Sequence, residues 1–359
     1  METDDIYMHR CLQLAALGAG DVAPNPMVGA VLVHDNTIIG EGYHQHYGHA
    51  HAEVNCINNV PGQLRYLIKK STLYVSLEPC SHFGKTPPCA DLIIEHGIPR
   101  VVIGCTDSSE KINGGGIKKL RDAGVNVVTG ILETAATELN KRFFTFHKKQ
   151  RPYIILKWAQ SSNLKIANED HSMVKISNEL TNRLVHKWRS EEAAIMVGTR
   201  TAFYDNPSLT TRLWPGNNTV RIVIDKHLKL PLHLHLFDQS ARTIILNMIR
   251  QDEDSRQDDQ AGRGRNNYYK IEEGEDLLAA TLNILRQRNL TSLIVEGGTV
   301  LLQSFIDSGC WDEARVISNE DLLIENGIAA PVLKNKNLIK RNILRTDEIC
   351  YYNNTERSL

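Results

Sequence analysis

No apolar run in the 359-residue sequence approaches the ~20 residues that a membrane-spanning helix needs, so a transmembrane protein is not expected. Charge of one sign is also lacking. The formal net charge is −1, which leaves no broad field to draw in nucleic acid or an anionic membrane. Aromatic residues make up 6% of the chain, too few to predict a stacking platform for single-stranded bases. Cysteine is sparse: there are seven, an odd number. Cys11, Cys56, Cys105, Cys310 and Cys350 are scattered, which is not a disulfide framework, and free cysteines of this kind are usually small buried hydrophobes. The start, Met1-Glu2-Thr3-Asp4-Asp5, is acidic and has no apolar core, so no signal peptide is expected and the cytoplasm is the expected compartment. No internal repeat is evident.

What is present suggests an ordinary globular protein. Hydrophobic residues make up 42% and charged residues 23%, and the length suggests two domains at about 150 residues each. Asp5 to Leu17 carries apolar residues at helical spacing. Val28 to Val33 and Thr37 to Gly42 flank His34-Asp35-Asn36, which reads as a hairpin. Further on, Thr72–Leu77, Arg100–Gly104 and Val125–Thr129 read as strands. His51–Ile57, Cys89–Glu95, Gly116–Ala123 and Ile131–Phe146 read as helices. A polar cluster ending in Arg151-Pro152 closes the last of these, which places a boundary between residues 1–148 and 149–359.

The second segment repeats the alternation. Strands are expected at Tyr153–Ala159, Ala193–Val197, Val220–Ile224, Thr243–Asn247 and Ser292–Val295. Helices are expected at Asn178–Arg189, Glu275–Arg288 and Thr299–Ile306, with a polar turn at Thr199-Arg200-Thr201. Residues Arg250 to Asn267 are almost wholly polar and read as an exposed loop. Strand–helix alternation throughout predicts α/β domains with mainly parallel sheets.

Chemistry concentrates in His51-Ala52-Glu53, Pro79-Cys80 and Cys89. One imidazole and two thiols can hold a zinc ion and leave a fourth position open. Eight residues separate Cys80 from Cys89 and there is no second pair, unlike a closed structural site. His-x-Glu followed by Pro-Cys is the signature of zinc deaminases, in which zinc lowers the pKa of water from 15.7 to about 7 and the glutamate moves protons. His49 competes with His51 as ligand, but only His51 has a glutamate two residues on. Asn25 stands between Pro24 and Pro26, which hold it in extended geometry; by composition alone it is a turn residue. His44, His46 and His82 read first as polar loop residues.

Pro24-Asn25-Pro26-x-Val28-Gly29, His51-Ala52-Glu53 and Glu78-Pro79-Cys80-Ser81-His82-x-Gly84-x-Thr86-Pro87-Pro88-Cys89 together closely resemble the bifunctional deaminase–reductases of riboflavin biosynthesis. The resemblance extends over nearly the whole chain. It implies an N-terminal cytidine-deaminase-like three-layer α/β/α domain and a C-terminal dihydrofolate-reductase-like α/β domain. It implies zinc on His51, Cys80 and Cys89, Glu53 as proton shuttle, and a substrate pocket lined by Asn25, His44, His82, Lys85 and Thr86. The segment of Asp107 and Asn113–Gly116 either closes over that pocket or is a plain loop. The implied substrates are phosphorylated pyrimidines, deaminated and then reduced with NADPH by an enzyme that forms a homo-oligomer, a dimer.

In the second half the matching pieces are Lys157-Trp158-Ala159-x-Ser161, Arg183, Val197-Gly198-Thr199 with Thr201, Asp205-Asn206-Pro207-x-Leu209-x-x-Arg212, Arg221–Asp225 and Glu296-Gly297-Gly298. The resemblance implies cofactor contacts from Lys157, Ala159, Gln160, Lys175, Thr201, Asp205, Gly297, Gly298, Thr299, Val300, Leu301 and Leu302. It implies substrate contacts from Ser172, Leu209 and Glu296, with Arg183 and Arg212 on the phosphate. Glu-Gly-Gly alone is a weak signal, although glycines at a helix start let backbone N–H groups approach phosphate. Two departures stand out. Ser161-Ser162-Asn163-Leu164 replaces the family's Ser-Leu-Asp-Gly, and Lys175 replaces a Trp before Ile176-Ser177. They motivate a rival reading in which the C-terminal half binds substrate or dimerises without reducing anything.

Overall fold

A computed structural model of the chain describes residues 3–83, 87–107, 114–252 and 266–356. Two compact units divide it, Met1–Arg151 and Pro152–Leu359.

The first unit runs α1 (Thr3–Ala16), β1 (Gly29–His34), β2 (Thr37–Tyr43), α2 (Ala52–Asn58), β3 (Thr72–Leu77), α3 (Cys89–Glu95), β4 (Arg100–Cys105), α4 (Gly115–Asp122), β5 (Asn126–Thr129), α5 (Glu133–Leu139) and α6 (Lys141–Lys149). The sheet order is β2-β1-β3-β4-β5. β1 and β2 form the expected hairpin, and Asp35 and Asn36 at its tip have φ of 44° and 59°, the backbone that tight hairpin turns favour. β1 also runs antiparallel to β3, whereas β3, β4 and β5 are parallel. Ala52, Cys56 and Ile57 of α2, Ala90 and Ile93 of α3, and Ile117 and Leu120 of α4 pack on one face of the sheet. Tyr7, Met8, Cys11 and Leu14 of α1 pack on the other, completing three layers.

The single helix expected over Ile131–Phe146 is instead two, broken at Asn140. The apolar period continues across the break. The Asn140 amide, however, is committed elsewhere: it accepts from the Met27 N–H at 2.8 Å and donates to the Met27 carbonyl at 2.9 Å.

The second unit runs β6 (Tyr153–Ser161), β7 (Lys165–Asn168), α7 (Glu179–Glu191), β8 (Ala194–Val197), α8 (Thr199–Asp205), β9 (Val220–Ile224), β10 (Thr243–Asn247), β11 (Asn266–Lys270), α9 (Leu277–Gln287), β12 (Ser292–Val295), α10 (Thr299–Asp307), β13 (Glu313–Asn319), β14 (Gly327–Ala329), β15 (Lys336–Leu344) and β16 (Asp347–Asn354). The main sheet has the order β11-β10-β9-β8-β12-β6-β13-β16-β15. It is parallel from β11 to β13 and antiparallel at β16 and β15. One face is covered by Ala280 and Leu285 of α9 with Leu302 and Phe305 of α10, the other by Val185 and Trp188 of α7 with Ala202 of α8. Each such large side chain contributes roughly 1.5–3 kcal/mol on burial.

Two expectations here need correction. Thr199–Thr201 is not a turn but the start of α8, capped by Gly198. The polar stretch does not reach Asn267 as a loop, because Asn266 and Asn267 pair with Thr243 and Ile244 in β11. Residues 253–265 of that stretch lie outside the described residues.

Candidate active sites

In the first unit, β3 and α2 deliver the expected ligands to one point. His51 caps α2 at its N-terminus and Cys89 begins α3, so both helix starts face the segment that follows β3. Gly42 lets α2 lie close on β2, since a Cβ there would collide with the Cys56 amide nitrogen. His51 Nδ1 lies 3.3 Å from Cys89 Sγ and 3.6 Å from Cys80 Sγ. All three donor atoms fall within 4.8 Å of one another. Tetrahedral zinc with ordinary bond lengths sets its nitrogen and sulfur ligands roughly 3.5 Å apart, so the donor set fits the ion by spacing as well as by type. In this candidate donor set the imidazole is that of His51, presented through Nδ1, and not that of His49.

The Cys89 thiol hydrogen-bonds Cys80 and draws its thiol pKa down against burial; His51 assists. Glu53 is 3% exposed, and burial raises its carboxyl pKa, with negative charge on Cys80 adding to the effect. A carboxyl beside the candidate metal ligands with elevated proton affinity suits proton transfer. His44 donates or accepts through Nδ1 with the Ala50 carbonyl at 3.0 Å and through Nε2 with Asn25 Nδ2 at 3.1 Å. As a carbonyl only accepts, Nδ1 carries the proton and Nε2 accepts from Asn25. Burial lowers the His44 pKa, which agrees with a neutral ring. His82 is exposed, and Lys85, Thr86 and Asn113 lie outside the described residues.

Two residues essential to this geometry gave no separate signal. Asn140 clamps Met27 beside the Asn25 turn. Glu78, 3% exposed, accepts from the N–H of Asp107 at 3.2 Å, Gly116 at 3.0 Å and Ile117 at 3.2 Å. It ties the start of α4 to the segment bearing Cys80. Gly116 is required there because a Cβ would collide with the Pro79 carbonyl. The only available hint was an acidic residue directly before Pro79-Cys80.

In the second unit, Val295 pairs with Leu156, so Glu296 and Lys157 follow side by side. Lys157 Nζ is 3.5 Å from Glu296 Oε2. Arg189 of α7, which the sequence reading passed over, grips both oxygens of Glu296 at 2.8 Å. Gly297 sits where a Cβ would press on Thr201 and Val197, and Gly298 has a φ of 74°. The backbone of 297–298 thus carries no side chain just before α10. Thr201 flanks it from α8, and Thr299 Oγ1 donates to the Ala329 carbonyl at 2.7 Å. Val300 is exposed, Leu301 is half-buried against Gly198, and Leu302 lies in the core, leaving only its backbone for a ligand.

Leu209 is buried, with a φ of 51°. Arg183, Arg212, Ser172, Lys175 and Asp205 are exposed and Ala159 is half-buried. The Gln160 amide is spent inside the fold, accepting from Trp158 Nε1 at 2.8 Å and donating to Ser318 Oγ at 3.1 Å. The departures at Asn163 and Leu164 lie in the turn between β6 and β7. Asn163 accepts from Ser161 Oγ at 2.6 Å and donates to the Ile324 carbonyl at 2.9 Å, and Leu164 has a φ of 59°. Leu164 thus occupies a left-handed position, the one that the glycine of a Ser-Leu-Asp-Gly turn would fill without strain.

Two family models match the chain, the cytidine and deoxycytidylate deaminase zinc-binding region over residues 1–105 and the RibD C-terminal domain over 152–320. The riboflavin biosynthesis protein RibD of Aquifex aeolicus is 40% identical over 88% of this chain and 86% of its own. The chain belongs to the RibD family. RibD of Escherichia coli (strain K12) is 34% identical over 89% of this chain and 88% of its own. The solved structure of a diaminohydroxyphosphoribosylaminopyrimidine deaminase/5-amino-6-(5-phosphoribosylamino)uracil reductase from Thermotoga maritima is similar with a TM-score of 0.86 at 31% identity, over 98% of this chain and 99% of that one. As a RibD protein the chain is a bifunctional enzyme of riboflavin biosynthesis, joining a deaminase domain of the zinc-binding class to a reductase domain. No helix among the described residues is long and apolar enough to cross a membrane.

Proposed function

We propose that residues 1–148 remove the 2-amino group of 2,5-diamino-6-ribosylamino-4(3H)-pyrimidinone 5′-phosphate as ammonia, and that residues 149–359 use NADPH to reduce the ribosyl group of 5-amino-6-(5-phosphoribosylamino)uracil to ribityl. The observation that carries the first half is the convergence of His51 Nδ1 with the Cys80 and Cys89 sulfurs beside buried Glu53. Zinc, when held there, supplies the Lewis acidity that makes water nucleophilic at neutral pH. Glu53 takes a proton at its carboxylate and passes it to the departing amine. Asn25 and His44 orient the pyrimidine ring through a hydrogen-bonded pair whose tautomer the Ala50 carbonyl sets. His82, Lys85 and Thr86 are the further residues assigned to substrate binding in this reading, the last two lying outside the described residues.

In the reductase half, NADPH supplies the hydride, and the chain's residues bind and orient. The glycine backbone at 297–298 and the start of α10 suit the cofactor's phosphates, with Thr201 and Asp205 alongside. Glu296, Leu209 and Ser172 line the substrate, and Arg183 and Arg212 receive its phosphate. The same reading makes the enzyme a cytoplasmic homo-oligomer, which sedimentation can test. Purified zinc-loaded protein should release ammonia from the diaminopyrimidinone phosphate and oxidise NADPH with the deaminated product. Absence of ammonia release refutes the deaminase assignment. Ammonia release without NADPH oxidation leaves the C-terminal half a binding module.

A further inference from the structure

One pair of side chains in the second unit has no part in the roles given above. His186 and Arg189 stand three residues apart on α7, a spacing that places both on one helix face. We propose that they are positioning residues of the reductase site, setting from one helical turn both the Glu296 carboxylate and the loop that carries Leu209 and Arg212. This rests on the assignment of that site given above.

Arg189 uses its whole guanidinium. Nε donates to Glu296 Oε1 and Nη2 to Oε2, each at 2.8 Å, while Nη1 reaches the Thr210 carbonyl at 3.4 Å. A two-point grip sets the rotation of the carboxylate plane as well as its position, which a lysine ammonium cannot do. His186 Nδ1 accepts from the Arg212 backbone N–H at 2.9 Å. Arg212 Nη1 in turn donates to Thr210 Oγ1 at 3.2 Å. Glu296, Arg189, Thr210, Arg212 and His186 therefore form one connected series. It spans from the carboxylate to Arg212, the arginine assigned above to the substrate phosphate.

The loop needs such anchors. Leu209 holds a φ of 51°, a left-handed conformation that is strained for a residue with a Cβ. Without fixed points on either side the loop would relax out of it. Arg221, fully buried, supplies the other fixed point by donating to the Ser208 carbonyl at 3.2 Å.

A purely structural role for the pair would alter stability without separating kinetic parameters. The test uses the purified full chain, with NADPH oxidation measured on the deaminated substrate with and without its 5′-phosphate. Wild-type protein that fails to oxidise NADPH refutes the site assignment itself, separately from this inference. Given an active wild type, Arg189→Lys should bind NADPH normally by calorimetry yet lose about tenfold or more in kcat. His186→Leu should raise KM for the phosphorylated substrate about tenfold and leave the dephosphorylated one nearly unchanged. His186→Asn, whose side-chain oxygen can stand in for Nδ1, should recover most of that loss. A wild-type kcat in Arg189→Lys overturns the proposal for Arg189, and this holds even where His186→Leu does not fold. Equal KM values for His186→Asn and His186→Leu, or equal losses on both substrates, overturn it for His186.

Discussion

Arg189 and Glu296 meet edge to edge, with Nε and Nη2 of the guanidinium each 2.8 Å from a different carboxylate oxygen. Lys157 approaches the same carboxylate at 3.5 Å. Glu296 directly follows β12, at the carboxyl end of a strand in the parallel part of the sheet, where ligands bind in open α/β folds. Removing one member of such a buried group strands the charge of the others, a loss of several kcal/mol.

Acid should weaken the second unit in two steps. Burial alone would raise the Glu296 carboxyl pKa, but the Arg189 and Lys157 cations outweigh it and hold the value at about 2, against 4.5 ordinarily. Its stabilising contribution is therefore present above about pH 4.5 and is lost as the pH falls toward 2. Burial, aided by the Arg189 and Arg212 cations, holds His186 at about 4, below its ordinary 6.5. The unfolded chain binds a proton there first, so this contribution is present above pH 6.5 and is lost as the pH falls toward 4. Urea midpoints across this range should show a shallower slope in His186→Asn than in wild type. Identical slopes would remove His186 from the account.

Glu53→Gln should lower ammonia release by about a hundredfold or more, since an amide cannot shuttle the proton. Zinc content should stay at the wild-type level, because the three ligands are untouched. Elemental analysis alongside the ammonia assay checks both. Retained turnover at full zinc content sinks the role given to Glu53.

Glu78→Ala should destabilise the first unit by a few kcal/mol and speed the loss of zinc to a chelator. Three buried backbone donors, those of Asp107, Gly116 and Ile117, lose their acceptor. Thermal melts and chelator kinetics read the two effects. A melt and a zinc-loss rate that both match wild type would show that the Glu78 contacts are dispensable.

Leu164→Gly should stabilise the second unit by up to about 1 kcal/mol, because glycine adopts the left-handed φ of 59° without a Cβ clash. Leu164 is 58% exposed, so little packing is given up. A lowered melting temperature would mean that the leucine side chain matters more than the strain.

The parts legible from sequence were those set by neighbours along the chain. Thr72–Leu77 and Cys89–Glu95 appear with the expected ends, because β-branched runs and a proline-bounded helix start are local signals. The break at Asn140 was not legible, because its cause lies 113 residues away at Met27. β15 was not legible either. It is an edge strand, exposed along most of its length, and shows no clean alternation. Arg189 reads in sequence as an ordinary charged residue of an amphipathic helix.

The sequence by itself determined the candidate donor set, since His51, Cys80 and Cys89, with Glu53 two residues beyond the histidine, declare their chemistry by type and spacing. It also determined the α/β architecture, through local periodicity. Tertiary structure alone decided that Nδ1 of His51 faces the sulfurs, that Glu78 and Asn140 brace the segments carrying Cys80 and Asn25, and that Lys157, Glu296 and Arg189 form one ion cluster. The physical reason is the same in each case. These arrangements depend on groups far apart in the chain whose approach is set by helix-on-sheet packing, and no local pattern encodes that distance.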